Sequence, residues 1–215
     1  PANAAYINKV RKGRMRVFSV AAEPFAVGFI GDPHLENKGA NLEMFAADLE
    51  LLRASKIRAI NIGDMLDNFH ETGKLAKKQA NNRMSVSEGY GVARWAIAES
   101  GVKWDAHLLG NHDEWGGPAY ATMFRQWAAE AGSRVFNWAV GLVYQWDGGS
   151  YKVMAAHDFK GHSIHNPLHG PMRRAQEDEI IDRVLALQDG SVYPLFLELD
   201  DRLAVEPHER PDAAR

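Results

Sequence analysis

Four times along this chain a short apolar run stops and a polar cluster rich in Asp, Asn and His begins. Phe25 to Ile30 runs into Gly31-Asp32-Pro33-His34, and Ile57 to Ile62 into Gly63-Asp64-Met65-Leu66-Asp67-Asn68. Ala106 to Leu109 runs into Gly110-Asn111-His112-Asp113, and Tyr151 to Ala155 leads to His157-Asp158. Short apolar runs closed by Gly, Asp or Pro read as buried strands ending in loops. Between them the apolar spacing turns helical. Asn41 reads as the N-cap of a helix over 42–54, with Leu42, Phe45, Leu49 and Leu52 at helical spacing, and further helices are expected near 84–99 and over 118–131. Strands alternating with helices predict an α/β fold. In an open α/β sheet the carboxyl ends of the strands face one crevice, where ligands bind. The pattern therefore predicts that all four clusters meet on one edge of one sheet.

The rest of the chain is less regular. Gly141 to Trp146 and Tyr151 to Ala155 flank Asp147-Gly148-Gly149-Ser150, a hairpin signal. Residues 172–188 read as a helix, on the spacing of Ile180, Ile181, Val184 and Leu185. Val192 to Leu199 and Leu203 to Val205 read as a final hairpin around Asp200-Asp201, before a charged tail from Glu206. A length of 215 residues is expected to form a single domain over 1–215, with the motifs in about 25–170.

Composition narrows the chemistry. The chain has no cysteine, which excludes thiolate zinc sites, iron–sulfur clusters, disulfides and a cysteine nucleophile. Any metal must be held by His, Asp, Glu or Asn. The formal net charge is -3, so a grossly basic nucleic-acid coat is excluded, though not a local basic groove. No apolar stretch is long enough to span a membrane. Lys9, Arg11, Lys12, Arg14 and Arg16 are not followed by an uninterrupted apolar core, so a cytoplasmic location is expected.

The four clusters supply the donors of a metal centre. Asp32 and His34, two residues apart after a strand, can turn toward one ion. Asp64 arrives from a neighbouring strand, and its two oxygens can bridge two cations. Asn111 offers an amide oxygen and His157 an imidazole nitrogen. This mixed oxygen and nitrogen set suits Mn, Fe or Zn, and is too nitrogen-rich for Ca or Mg. Two such ions form a clamp for in-line displacement at phosphorus: they make a hydroxide nucleophile from water and neutralise the phosphate oxygens. His112, beside Asn111, is placed to act as general acid toward the leaving alkoxide, and Asp67 is the carboxylate expected to hold its other nitrogen.

The ordered set DxH at 32–34, GDxxDN at 63–68, GNHD at 110–113 and a later His157 resembles the calcineurin-like metallophosphoesterase superfamily over roughly 25–160. The resemblance implies that Asp32, His34 and Asp64 hold one metal, and that Asp64, Asn111 and His157 hold the other. It implies His112 as catalytic acid, Asp67 as its orienting partner, and a four-layered αββα sandwich. One departure stands out: the GHxH element that normally closes the site is not found. Gly161-His162-Ser163-Ile164-His165 has the wrong spacing and follows His157 too soon. Three readings stand: a carboxylate replaces it, a His from 162, 165 or 169 folds back, or the element is missing, which leaves the C-terminal part incomplete and the second metal weakly held. The last is favoured.

Each of these residues also has a plainer reading. Asp and Asn cap loops everywhere, and only their ordered recurrence lifts them above that. The loop from Gly161 to Gly170 is as compatible with a surface turn as with a substrate pocket; within that pocket His162 and Asn166, with Arg173 beyond it, are the candidate phosphate contacts. Lys74, Lys77 and Lys78 read first as a solvated run and second as a guide for a polyanion. Trp95, Trp104, Trp127, Trp138 and Trp146 read as core. Trp115, next to the proposed rim, is placed to stack a base or cover the site. The expected function is metal-dependent hydrolysis of phosphate esters. Phosphodiesters, nucleic acid among them, are favoured over monoesters, and a nuclease over a protein phosphatase. The alternative is a catalytically impaired or truncated metal-binding family member acting through a partner.

Overall fold

The computed structural model describes residues 15–20, 26–71, 73, 75–158, 183–188 and 191–196. Four strands form one sheet in the order β2-β3-β4-β5: β2 (Val27–Ile30), β3 (Arg58–Asn61), β4 (Lys103–Leu109) and β5 (Val135–Asn137). All its pairings are parallel. The connections carry α1 (Leu42–Ala54), a short 3-10 turn (Phe69–Glu71), α2 (Ala76–Gln79) and α3 (Val86–Arg94). The last of these runs on as a π-helical turn, Trp95–Glu99. Beyond β4 come α4 (Asn111–Trp115) and α5 (Gly117–Glu130). The second sheet has the order β1-β6-β7-β8-β9, built from β1 (Met15–Ser19), β6 (Ala139–Trp146), β7 (Gly149–Ala156), β8 (Arg183–Gln188) and β9 (Ser191–Phe196).

Strand periodicity divides the core in two. Side chains alternate faces along a strand. Ala59, Trp104 and Leu109 go to a helix-facing cluster with Phe45, Leu49, Ile97 and Phe124. Ile60, Ala106 and Leu108 go to the opposite face and meet Val140, Leu142, Tyr144 and Val153 of the second sheet. The described residues thus stack helices, sheet and sheet. Helix α1 begins where its cap predicts, since the Asn41 side chain accepts from the Met44 N–H at 3.0 Å.

A β-bulge inserts a charge between the sheets. Ala59 lies opposite Trp104 and Ile60 opposite Ala106, so Asp105 is the extra residue. Its buried carboxylate accepts from Arg58 Nε at 2.7 Å, Arg58 Nη2 at 2.5 Å and the Tyr144 hydroxyl at 2.8 Å. Burial, first, and this carboxylate, second, push the Tyr144 hydroxyl far up. Asp105→Ala would strand the largely buried Arg58 guanidinium and is expected to cost about 3 kcal/mol, the low end for breaking a buried pair. Tyr144→Phe, which removes one hydrogen bond, is expected to cost about 1 kcal/mol. Urea denaturation of the two variants measures both, and equal small losses would refute the network.

Several expectations change. His157 follows β7, so only three of the four clusters end strands of the parallel sheet and the fourth comes from the second sheet. The expected helix over 172–188 is a strand over its last part, Arg183–Gln188. That strand pairs antiparallel with β9, whereas Val192 to Leu199 was expected to pair across Asp200-Asp201, a segment outside the described residues. Trp104 and Trp127 are core, but Trp95 is 41% exposed.

Candidate metal centre

The site forms where three loops meet beyond β2, β3 and β4. The backbone laces the first two together: Asp32 N–H donates to Gly63 O at 3.1 Å, His34 N–H to Asp64 O at 3.2 Å and Leu35 N–H to Met65 O at 3.0 Å. Making those bonds bends the chain hard. Asp32 (φ 49°), His34 (φ 41°), Asp64 (φ 55°) and Asn68 (φ 49°) all lie in the left-handed region. Asp, Asn and His tolerate it better than other residues with a side chain, but it still costs free energy. The third loop approaches even closer. A Cβ on Gly110 would lie 2.1 Å from Asp64 Oδ1 and 2.6 Å from His157 Cε1, and one on Gly63 (φ 111°) would lie 2.7 Å from His157 Nδ1.

Asp113 ties the loops together. It is completely buried, and its Oδ2 accepts from the Asp64 N–H at 2.7 Å and the Gly110 N–H at 2.9 Å, while Tyr120 donates to Oδ1 at 3.2 Å. Burial, then the neighbouring Asp64 charge, pushes it up to about 7. Glu36 braces the next turn by accepting from the Asn68 N–H at 3.1 Å and Asn82 Nδ2 at 3.2 Å, and burial pushes it up to about 7. Gly63, Gly110, Asp113 and Glu36 were not among the expected site residues. Asp113 and both glycines stand inside the quoted motifs, and that position was the available signal.

One donor atom each from Asp32, Asp64 and His157 lie within 4.8 Å of one another, and so do those of His34, Asp64 and His112. Asp32 thus groups with His157 rather than with His34, and His112, expected as the acid, stands among the donors. Asp64 belongs to both groups. His157 Nδ1–H donates to the Ile62 carbonyl at 2.9 Å, since a carbonyl can only accept. In the neutral ring Nε2 is then a lone pair, and it faces Asn111 Oδ1 at 3.1 Å and Asp64 Oδ2 at 3.4 Å. Three acceptors aimed at one another fit a cation. Asp32 Oδ1 is buried with no hydrogen-bond partner. Burial, with Asp64 among the further causes, raises the Asp32 carboxyl above its usual range. The residues therefore fit a divalent metal.

The two remaining histidines have different partners. His34 Nδ1 lies 2.9 Å from Asp67 Oδ1, an ion-pair contact whose direction falls short of a hydrogen bond. Burial opposes charge on His34, but the Asp67 and Asp64 carboxylates outweigh it and raise its pKa. Burial likewise opposes ionisation of Asp67, and His34 and Asn37 outweigh it to hold Asp67 low. His112 Nδ1–H donates to the Asp67 backbone carbonyl at 2.8 Å, with the Asp67 carboxylate 3.9 Å away. Asp67 was expected to hold His112 through its carboxylate; in the structure the nearer contact is its main chain, and the carboxylate faces His34. The His112 N–H donates to Asp64 Oδ1 at 2.9 Å. His162, Asn166 and Arg173 lie outside the described residues.

Comparison with known proteins adds little. No family model and no curated protein sequence matches the chain. Among solved structures, the nuclease MPE of Pseudomonas putida is similar at 18% identity and a TM-score of 0.30, over 63% of this chain. The match spans 56% of that nuclease's length. A likeness of that size fixes neither the fold nor the chemistry of this chain. Among the described residues, no helix is long and apolar enough to cross a membrane.

Proposed function

We propose that this protein is a metal-dependent phosphoesterase of the metallophosphoesterase type, acting on phosphodiesters in preference to monoesters. Two donor groups that share Asp64 carry the reading, Asp32 with His157 in one and His34 with His112 in the other. The resemblance divides the ligands differently: Asp32, His34 and Asp64 would hold one cation, Asp64, Asn111 and His157 a second, with His112 left for the leaving oxygen. Mn, Fe or Zn suits the donors. A divalent cation there supplies a Lewis acid that acidifies water and offsets phosphate charge.

The chain's own residues do the rest. Gly63 and Gly110 leave room for Asp64 and His157 to meet, and Asp113 clamps the loops that carry them. Asp67 orients both imidazoles, His34 through its carboxylate and His112 through its carbonyl. With Nδ1 of His112 spent on that carbonyl, Nε2 is the nitrogen that holds a proton for the leaving oxygen. A good leaving group needs no such proton, which gives the test. On Mn-loaded protein His112→Asn is expected to lower cleavage of an alkyl diester by about 10²–10⁴-fold. Its effect on bis-p-nitrophenyl phosphate should be much smaller, since p-nitrophenolate departs unaided. Equal losses on both would discard the acid role. Metal binding without turnover on any mono- or diester would instead support a metal-binding scaffold that acts through a partner.

A further inference from the structure

A cavity of about 490 Å³ opens beside the centre, bounded on one side by Asp32, His34 and His112. Its other wall is built from residues the reaction described above does not use: Phe69, Leu75, Lys78 and Trp115. The Trp115 ring sits 4.2 Å from the His112 ring and 6.3 Å from Phe69, tilted 32° to the latter. Lys78 Nζ is held 5.6 Å from the centre of the Phe69 ring. An aromatic step and a cation thus lie beside the His112 ring on the lining of the same cavity.

We infer that this cavity is the leaving-group subsite, and that it takes a nucleoside: the base against Trp115 and Phe69, the next phosphate toward Lys78. The inference rests on the phosphodiesterase reading and narrows its substrate class. The volume suits a nucleotide-sized group and is far too large for a small alkyl group. A ring wall accepts any base face, because every base has a π-face, so the preference is for a nucleobase and not for a sequence. The side of the site follows from His112. A group that lies past the proton donor is the one that departs, while the retained phosphoryl group lies toward Asp64.

The test lets two leaving alcohols compete on one phosphorus. Mn-loaded protein is given the methyl esters of thymidine 3′- and 5′-monophosphate, each of which can lose either thymidine or methanol. Loss of thymidine, leaving methyl phosphate, is expected about tenfold or more over loss of methanol, from stacking of one base. Phe69→Leu and Trp115→Leu should each draw that ratio toward one. A substrate with one further phosphate on the departing side should gain again, and Lys78→Ala should remove that gain. A second readout needs neither metal nor turnover: thymidine monophosphate should quench tryptophan fluorescence, and Trp115→Leu should lose the quench. Equal loss of thymidine and methanol, or a quench unchanged in Trp115→Leu, would overturn the subsite and leave the phosphodiesterase standing. No Mn-dependent hydrolysis of any diester would overturn both.

Discussion

Asp64→Asn is expected to lose cation binding at both positions at once. Asn keeps the shape of Asp, so the Asp64 N–H can still reach Asp113 at 2.7 Å and the oxygen facing the His112 N–H at 2.9 Å is kept. What disappears is the one negative charge common to both donor groups. Residues that merely support metal ligands cost about 10–100-fold in affinity or activity when mutated, so a shared ligand should cost at least about a hundredfold. The metal-free protein should respond in the opposite direction. Burial is the first cause of the raised Asp32 and Asp113 carboxyls, and the Asp64 charge adds to both. Removing that charge relieves the crowding. The variant should therefore melt slightly higher than the wild type without metal, and lower than it with saturating Mn, because only the wild type gains stability by mass action. Calorimetric titration together with the two melting curves measures this. A variant that still binds Mn tightly would remove Asp64 from the centre.

That crossing of stability and binding explains what was legible in the sequence. The centre writes itself as punctuation. Wherever a strand of the parallel sheet must end against another loop, a Gly followed by Asp or Asn appears: Gly31-Asp32, Gly63-Asp64, Gly110-Asn111. Those residues tolerate left-handed backbone and close approach, so the ligands and the bends arrive together. Helix α1 was legible for a similar local reason, its cap and its apolar stripe. What depended on distant partners was not. Strand β1, Met15-Arg16-Val17-Phe18-Ser19, lacks a clean alternation and is recognisable only from its parallel pairing with β6, far along the chain. Ile180, Ile181, Val184 and Leu185 mimic a helix, yet Arg183–Gln188 is a strand paired with β9. The Asp189-Gly190 step between those two strands is the stronger local signal, because that dipeptide is among the best hairpin markers. The sheet that carries His157 was beyond local reading, since a strand end looks the same from either sheet. So was the role of Asp105, which a bulge turns into the layer between the sheets.

Gly110→Ala should abolish the centre without unfolding the protein. The backbone at Gly110 (φ -92°, ψ -172°) is extended and open to any residue, so no strain arises from the main chain itself. The obstacle is space. The new methyl carbon would stand 2.1 Å from Asp64 Oδ1, 2.6 Å from His157 Cε1 and 2.7 Å from His157 Nε2. None of these is the free end of a flexible side chain. His157 is tied by Nδ1 to Ile62 at 2.9 Å, and Asp64 Oδ1 accepts from the His112 N–H at 2.9 Å. Relief requires both ligands to leave their positions, which removes a donor from each of the two groups. The comparison is Gly91→Ala, in the interior of α3, where a Cβ meets nothing within 4 Å. There the same exchange should stabilise by roughly 0.5–1 kcal/mol, because Ala is the better helix former. Mn titration and urea denaturation of the two variants separate the effects. Gly110→Ala should lose metal binding while keeping a cooperative transition, and Gly91→Ala should keep binding and gain stability. Tight Mn binding by Gly110→Ala would mean that Asp64 and His157 do not meet at the point where the centre is drawn.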